Sequence, residues 1–397
     1  FLPLLAFRYE GRLSAQTSLA VNLGGEAGLS RYSMLDWYDA RTPMPDNYRY
    51  LPSHTGDLET ERAWLAADPR YTQINWDELI RCNRMRNGEA VYALDDRVER
   101  TTDLHLDAAF TTALDRALTL RYGLTLRYDR SRSYRQMRDL LGARYVTDID
   151  RYLIDDDTYS NLLQNDLRHP DREIREGDRF GYDYALLTRE ARLLLQADYR
   201  SDRLRADLCA ELGSAGISRR GDYEKELFPG DLSYGPSRTL RFSPWLVKAL
   251  VGWSFSARSY LEGILFASAD VPRADQLFYQ PLYNNRPVEL PRCERTYAAE
   301  LSWRRTGAQF DLRLAAYAAA VYDRLETRRY YDDLASLYCD MSVSGIGLLS
   351  CGVEAAAEIR LSYRWQLALA ASAGRFTYIR DPEVTVLSDV DNTAVLT

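Results

Sequence analysis

The stretch Thr101–Asp129, TTDLHLDAAFTTALDRALTLRYGLTLRYD, decides the fold. In its second half, alternate positions from Leu118 to Tyr128 are large and apolar, and Thr, Arg and Gly stand between them. Its first half alternates in the same way, and Leu114–Ala117 between the halves has room only for a tight turn. Successive side chains of a strand point to opposite faces. The pattern therefore predicts a hairpin with one apolar face and one polar face.

Both arms of this hairpin are long. Each arm runs past ten residues, whereas strands of soluble domains usually have about five or six. A tilted strand needs about 9–11 residues to cross a bilayer. We therefore predict that the hairpin crosses a membrane.

The same alternation predicts about twelve strands in six hairpins. The fold class is then all-β, with residues 1–397 forming part of a larger antiparallel, up-and-down transmembrane β-barrel. The other predicted pairs are Phe1–Glu10 with Leu13–Leu23 around a turn at Glu10-Gly11, Ala185–Tyr199 with Leu204–Leu212, Trp245–Phe255 with Tyr260–Ser268, Glu294–Trp303 with Phe310–Tyr322, and Leu349–Leu361 with Leu367–Tyr378.

The connections between these strands alternate in length. Turns of a few residues alternate with connections of roughly 25 to 75 residues, including Gly24–Arg100 and Arg130–Asp183. Four prolines predict that the first is largely irregular, with a short helix at Trp76–Arg84. Outer-membrane barrels sort their loops in this way, with short periplasmic turns and long extracellular loops. Long structureless loops count against a compact soluble domain.

Aromatic side chains near the strand ends predict two interfacial rings. The ring beside the short turns contains Tyr199, Phe255, Tyr260, Trp303, Tyr363 and Trp365, and the ring at the far ends contains Tyr128, Tyr322 and Tyr378. Arg189 interrupts the apolar parity of its strand ten residues from Tyr199. At about 3.3 Å per residue and about 45° tilt it lies some 23 Å higher. We predict that Arg189 reaches water at the opposite rim.

Composition excludes several classes of protein. A net charge of −7 argues against a nucleic-acid partner, and no apolar run is long enough for a transmembrane helix. The five cysteines, Cys82, Cys209, Cys293, Cys339 and Cys351, lack metal-ligand spacing. Free thiols are preferred, and a loop disulfide between Cys339 and Cys351 is the alternative. No cofactor is expected.

Two sets of residues are candidate functional sites. The aromatic side chains of Trp37, Tyr38, Tyr48 and Tyr50 lie in a predicted outer loop and could grip a sugar or peptide by stacking. A self-packed loop core is the alternative interpretation. Asp103, His105 and Asp107 share the polar face of one strand, which would suit a metal or proton site. The polar interior of a barrel explains them equally, and we prefer that interpretation.

An acidic run and two isolated histidines do not predict a functional site. The acidic run Asp148–Asp157 lacks the glycine and closing glutamate of an EF-hand loop, so an ordinary acidic loop is preferred to a calcium site. A hydrolase using His54 or His169 is disfavoured, because neither histidine has a patterned partner. The sequence therefore predicts a protein that is not an enzyme.

Several loop segments resemble TonB-dependent receptors, and within that family the SusC-like branch. They are LDWYDARTPMPDNYRYLPS (Leu35–Ser53), QINWDELI (Gln73–Ile80), DLLGARYVTDIDRYL (Asp139–Leu153), LLQNDLRHPDREIREGDRFGYDY (Leu162–Tyr184), YYDDLASLY (Tyr330–Tyr338) and CGVEAAAEIRLS (Cys351–Ser362). The resemblance implies a 22-stranded plugged transporter barrel, energised by TonB through an N-terminal plug domain and partnered in some members by a SusD-like surface lipoprotein. The chain begins FLPLLAFRYEG without Met, and we expect a mid-barrel fragment lacking the plug.

The function expected from this resemblance is energy-coupled import across the Gram-negative outer membrane. The expected cargo is an oligosaccharide, a peptide or a metal chelate, and the expected surroundings are outer-membrane lipid. A passive porin or surface-adhesion barrel of twelve strands is one alternative. A secreted, soluble β-rich binding protein is the other.

Overall fold

The computed structural model describes residues 2–150, 163–333, 337–389 and, as backbone, 394–396. Twelve of the described strands have nine residues or more. They are β1 Leu4–Arg12, β2 Thr17–Trp37, β3 Tyr92–Ala113, β4 Leu118–Asp139, β9 Arg179–Arg200, β10 Leu204–Gly221, β13 Trp245–Ser256, β14 Ser259–Asp270, β15 Glu294–Thr306, β16 Phe310–Asp332, β17 Leu337–Arg360 and β18 Gln366–Arg380.

The remaining elements are short and lie in the connections or after β18. The strands among them are β5 Val146–Thr147, β6 Ile149–Asp150, β7 Leu163–Gln164, β8 Glu173–Ile174, β11 Gly235–Pro236, β12 Leu240–Phe242, β19 Glu383–Ser388 and β20 Ala394–Leu396. The helices are α1 Pro52–Thr55, α2 Leu58–Leu65, α3 Pro69–Thr72 and α4 Trp76–Arg84. Among the described helices, none has both the length and the apolar character needed to cross a membrane.

The long strands form one antiparallel sheet in chain order. The order is β1-β2-β3-β4-β9-β10-β13-β14-β15-β16-β17, and β18 pairs with the C-terminal part of β17, Gly347–Arg360. Short turns such as 114–117, 201–203 and 257–258 join the strands at one end of the sheet. The prediction of an all-β sheet built from six hairpins is confirmed.

The pairing register keeps apolar side chains opposite apolar side chains across the sheet. One cross-strand row contains Leu19, Phe110, Tyr122, Leu195, Ala210, Val247, Ala267, Tyr297, Ala320 and Leu349. We call the face that carries this row the apolar face, and the opposite one the polar face. The large side chains of the apolar face are exposed; Leu193 is 62% and Leu265 is 64% accessible. Exposed apolar surface of this extent needs a non-aqueous environment.

The strands are inclined as in a barrel wall. Leu120 lies two residues beyond the start of β4, and its cross-strand row reaches Arg375, nine residues beyond the start of β18. The row thus drifts by seven residues over eight strand-to-strand steps. With about 3.3 Å per residue and about 4.8 Å between strands, this drift corresponds to a tilt of roughly 30°. A tilt of similar size is required to close a sheet into a barrel.

The strands are longer than the alternation predicted. The first turn is at Leu13–Gln16, where the amide of Leu13 donates to the carbonyl of Thr17, and not at Glu10-Gly11. The predicted connections Gly24–Arg100 and Arg130–Asp183 shrink to residues 38–91 and 140–178. Beyond the apolar belt the strands carry charged and hydroxyl side chains among scattered apolar ones, so the backbone ladder continues although the strict alternation has ended.

The first long connection contains four helices and is not largely irregular. α4 has the predicted bounds Trp76–Arg84. Pro52 and Pro69 occupy the first positions of α1 and α3, where a missing N–H costs no hydrogen bond. Asp57 caps α2, and hydrogen bonds from the amide and hydroxyl of Thr60 lower the pKa of its carboxyl.

The expected long loop between Tyr322 and Leu349 is instead a projecting hairpin. β16 continues to Asp332 and β17 begins at Leu337, with a register shift around Asp323. Cys339 and Cys351 therefore lie twelve residues apart on β17, at a separation of roughly 40 Å. The proposed disulfide between them is wrong, and all five cysteines are free.

The predicted aromatic rings are correct at four of the nine positions. Tyr199 and Trp303 lie on the apolar face beside the short turns, and Tyr128 and Tyr322 lie on it at the far ends. Phe255 lies at a register shift, and Tyr363 and Trp365 lie in the turn 361–365, so strand pairing assigns none of these three to a face. Tyr260 points to the polar face, where its hydroxyl donates to Glu262. Tyr378 also lies on the polar face. A register offset of one residue moves a side chain to the other face. Arg189 is exposed and lies opposite Tyr128, at the predicted rim.

The buried core lies at the far ends of the strands and not along the sheet. We call the connections 38–91, 140–178, 222–244 and 271–293, together with the strand ends they cover, the outer layer. Its first cluster includes Ile217, Leu277 and Phe278, its second Met137 and Ile174, and its third Leu35 and Leu79. The sheet itself has two open edges, because β1 pairs only with β2, and β18 only with β17, among the described strands.

Substitution by arginine tests which face meets lipid. Leu193 and Leu194 are neighbours on β9, and Leu194 faces Gly123 and Glu211 on the polar side. We expect Leu193→Arg to lower the free energy of unfolding in bilayers by about 2–4 kcal/mol. The matched control Leu194→Arg should have a much smaller effect, since its guanidinium can pair with Glu211. Urea titration of the complete protein in vesicles measures both; equal losses would contradict the assignment of faces.

Candidate functional site

The aromatic residues Trp37 and Tyr38 belong to the packing of the outer layer. Trp37 is the last residue of β2, pairs with Tyr92 and packs half-buried against the third cluster. The amide of Tyr38 donates to the carbonyl of Val91 at 3.0 Å. Both residues therefore help to hold the first connection against the strand ends.

Tyr48 and Tyr50 lie further along the same connection and differ in exposure. The Arg41 guanidinium stacks 3.9 Å from the ring centre of Tyr50, whose hydroxyl donates to the carbonyl of Thr42. Tyr48 is 58% exposed, and its ring meets that of His54 edge to face at 5.2 Å. Arg49 Nε donates to the Tyr48 hydroxyl at 3.1 Å. Of the four candidates, Tyr48 offers the largest free aromatic surface, with guanidinium groups beside it.

A buried asparagine that the sequence did not reveal positions this connection. Asn83 on α4 is fully buried, and its amide nitrogen donates to the carbonyls of Tyr92 and Leu140 at 2.8 and 2.9 Å. Its side-chain oxygen accepts from the amides of Val91 and Tyr92 at 3.0 Å. One side chain thus joins α4 to β3 and to the end of β4. A single Asn in a polar helix carries no pattern that predicts this.

Asp103, His105 and Asp107 form part of an ion-pair ladder on the polar face. Arg127 Nη2 lies 2.8 Å from Asp103 Oδ2, and the Asp107 carboxylate accepts from Thr125 Oγ1 at 2.7 Å. His105 Nδ1 is 3.6 Å from Asp103, and its ring lies over Gly24, where a Cβ would collide with it. Within the described ranges, no three His, Cys, Asp or Glu side chains are placed to hold a metal ion. This arrangement suits the lining of a water-filled channel.

The acidic run of the second connection contributes to a buried charge network. Asp148 is 2% exposed and accepts hydrogen bonds from Arg172, Asn165 and the amide of Gly181, each at 2.9 Å. Its oxygens are therefore occupied by protein donors and not available to calcium. Asp155, Asp156 and Asp157 lie outside the described residues.

The same network contains a buried lysine from the third connection. Lys225 is 3% exposed; its ammonium donates to Asn165 Oδ1 at 2.6 Å and to the carbonyl of Gly181. Burial lowers the pKa of Lys225, and the nearby carboxylates of Asp150 and Asp148 oppose that shift. Because breaking a buried charge network is costly, these contacts fix the second and third connections to each other.

The two histidines considered for hydrolysis are not brought together. His169 Nδ1 lies 2.8 Å from Asp166 Oδ2, while the His54 ring meets the Tyr48 ring edge to face. The hydrogen bonds in the described part of the chain give neither histidine a hydroxyl or thiol partner. The outer layer can therefore bind a ligand through aromatic and charged side chains.

Solved structures with the same strand arrangement are transport proteins. The chain is similar to the copper transporter OprC, with 12% identity, a TM-score of 0.54, and coverage of 99% of this chain and 48% of OprC. It is also similar to the pyoverdine outer membrane receptor FpvA from Pseudomonas aeruginosa PAO1, with 12% identity, a TM-score of 0.51, and coverage of 98% and 47%. For the ferric-catecholate import receptor Fiu from E. coli K12, the identity is 9%, the TM-score 0.50 and the coverage 96% and 48%.

These similarities concern the fold. No family model matches the sequence, and no curated protein matches it. The chain spans about half the length of the solved chains named above. At 9–12% identity, the likeness shows that the open sheet has the architecture of a large antiparallel transmembrane β-barrel.

Removal of Asn83 tests what holds the first connection in place. Asn83→Ala leaves several buried backbone groups without partners, so we expect a local destabilisation of at least about 3 kcal/mol. Hydrogen exchange of the Trp76–Arg84 amides should accelerate by more than a hundredfold. Arg84→Ala, an exposed change on the same helix, is the control. Unchanged exchange in Asn83→Ala would show that the hydrophobic cluster alone fixes the connection.

Proposed function

We propose that this chain is part of the barrel wall of an energy-coupled importer in the Gram-negative outer membrane. The observation that carries the proposal is the sheet with one exposed apolar face and one ion-paired polar face, capped at one end only by a thick outer layer. In this arrangement lipid contacts the apolar face and cargo meets the outer layer first. The polar face, with Asp103, His105 and Asp107, lines the passage. Binding and gating suffice for this function, without covalent chemistry.

Energy coupling requires parts that these residues do not supply. We assign a TonB-contacting plug and further closing strands to sequence outside residues 1–397, so that the chain is a mid-barrel fragment of a TonB-dependent receptor. The open edges at β1 and β18 support this assignment, because unpaired backbone groups are not stable in lipid. They also argue against a complete twelve-stranded porin or adhesion barrel. The exposed apolar face argues against a secreted, soluble binding protein.

The proposed cargo is a metal chelate with aromatic or anionic groups. The paired arginines and tyrosines at Arg41, Tyr48, Arg49 and Tyr50 provide stacking surfaces and positive charge. The names of the similar transport proteins, which mention copper, pyoverdine and ferric catecholate, support a chelate over an oligosaccharide or peptide. The SusC-like branch and a SusD-like lipoprotein remain part of the proposal; Leu58 and Leu65, both strongly exposed, would lie beneath such a partner.

Uptake by the complete protein tests the function. The full reading frame should restore growth on a ferric chelate as the only iron source in a host lacking its own receptors. Inactivation of TonB should abolish that growth while leaving the protein in the outer membrane. Growth that persists without TonB, or ion conductance from the purified protein, would support a passive barrel instead.

Tyr48 provides the sharpest test of the cargo surface. Because most of the Tyr48 side chain is exposed, with His54 and Arg49 beside its ring, Tyr48→Ala in the complete protein should weaken chelate binding by about tenfold, or 1.4 kcal/mol, without changing thermal stability. Tyr32, also an exposed tyrosine but on β2, serves as the control through Tyr32→Ala. Isothermal titration with the ferric chelate measures both. Equal affinities of Tyr48→Ala and the parent protein for the ferric chelate would show that Tyr48 does not contribute to the binding surface.

A further inference from the structure

Two arginines mark the upper rim of the apolar face between β9 and β12. Arg189 on β9 and Arg241 on β12 both pair with Gly216 of β10, one from each side. Their Cα atoms are two strand spacings apart, or roughly 10 Å. Gly216 has no side chain of its own between the two arginines, and the methyl group of Thr239 lies 3.2 Å from where its Cβ would be.

Both guanidinium groups lack a carboxylate partner. Several arginines of the outer layer are ion-paired, as Arg132 is with Asp183 and Arg172 with Asp148. Among the ion pairs of the described residues, none includes Arg189 or Arg241, and both side chains are exposed. The adjacent Glu190 is on the polar face and accepts from Arg192 Nε at 2.6 Å. The rim therefore carries two positive charges that no nearby acid neutralises.

An apolar groove of about 600 Å³ runs down from this pair of arginines. The small residues Ala191, Ser214 and Gly216 form the bottom of the groove, and Leu126 and Tyr128 form one side. Leu104 and Leu126 are 48% and 40% exposed, so the groove opens on the apolar face. A cationic end above an apolar channel matches a molecule with an anionic head and a hydrocarbon chain.

We propose that Arg189 and Arg241 bind a phosphate of an acylated phosphoglycolipid, with one of its acyl chains in the groove below. The rim lies at the end of the sheet away from the short turns, which in the proposed orientation is the outer leaflet. Two guanidinium groups on either side of an open glycine provide donors for one phosphate, and such charge-assisted bonds are strong. The inference rests on the proposed membrane location, and it adds a specific lipid site to it.

Native mass spectrometry of the complete protein in mild detergent tests the site. The probe is bisphosphorylated lipid A, compared with lipid A of the same acyl pattern lacking phosphate and with inorganic phosphate. The double variant Arg189→Ala/Arg241→Ala should bind bisphosphorylated lipid A at least about tenfold more weakly than the parent. The control Arg375→Ala removes an exposed arginine of the same parity on β18, which has no guanidinium opposite it on β17, and should leave binding unchanged.

The outcomes separate this site from the proposed function. Loss of binding in the double variant, together with weak binding of phosphate-free lipid A by the parent, supports the site. Equal binding by parent and double variant, or displacement of lipid A by millimolar inorganic phosphate, overturns it. Insertion into vesicles is measured on the same samples; a parent that inserts but shows no arginine-dependent binding defeats only the lipid site, whereas a parent that fails to insert defeats the membrane location as well.

Discussion

The hydrogen-bonded ladder of the long strands is the constraint on which the rest of the structure depends. In lipid, each backbone N–H and C=O must find its partner within the sheet. Because side chains alternate with a period of two, a shift of the pairing register by one residue would move all the apolar side chains of a strand to the polar face. The register shifts at Leu94/Asp95, Tyr134/Arg135 and Ser254/Ser256 lie toward strand ends, whereas those at Val321/Arg324 and Gly347/Leu348 lie midway along β16 and β17, where the projecting hairpin begins. The ladder is continuous where the apolar face is exposed.

The outer layer follows the opposite rule. Its connections bury apolar clusters and charge networks as a water-soluble domain does, and single polar side chains such as Asn83 and Lys225 fix one segment to the next. This division gives the two parts different tasks. The sheet provides a wall held by its backbone ladder, while the outer layer holds aromatic and charged groups at fixed positions beyond the far ends of the strands.

The sequence predicted what alternation can reveal. The hairpin of Leu104–Phe110 and Leu118–Tyr128 and its turn at residues 114–117 were correct because every second residue there meets lipid. Prediction ended where lipid contact ends: Gly24–Trp37 and Tyr92–Arg100 are strands without strict alternation, held by backbone pairing, by ion pairs such as Arg31–Asp96 and by buried side chains such as Val98. Asn83 reaches the carbonyl of Leu140, 57 residues further along the chain, and Asp148 bonds to Arg172, 24 residues further along, so no local pattern indicates these partners. For the same reason, the sequence suggested Trp37 as an open ligand contact, whereas it packs against the outer layer.

Adjacent residues of one strand should face lipid and water in turn. Leu195 and Gln196 on β9 lie at the same height, on the apolar and polar faces respectively. Single nitroxide labels at Leu195→Cys and Gln196→Cys, in a complete protein without its native cysteines, can be measured in bilayers by collision with oxygen and with a water-soluble nickel complex. We expect oxygen to relax the label at position 195 more strongly, and nickel to relax the label at position 196 more strongly. Equal accessibility at both positions, or the reverse order, would contradict this expectation.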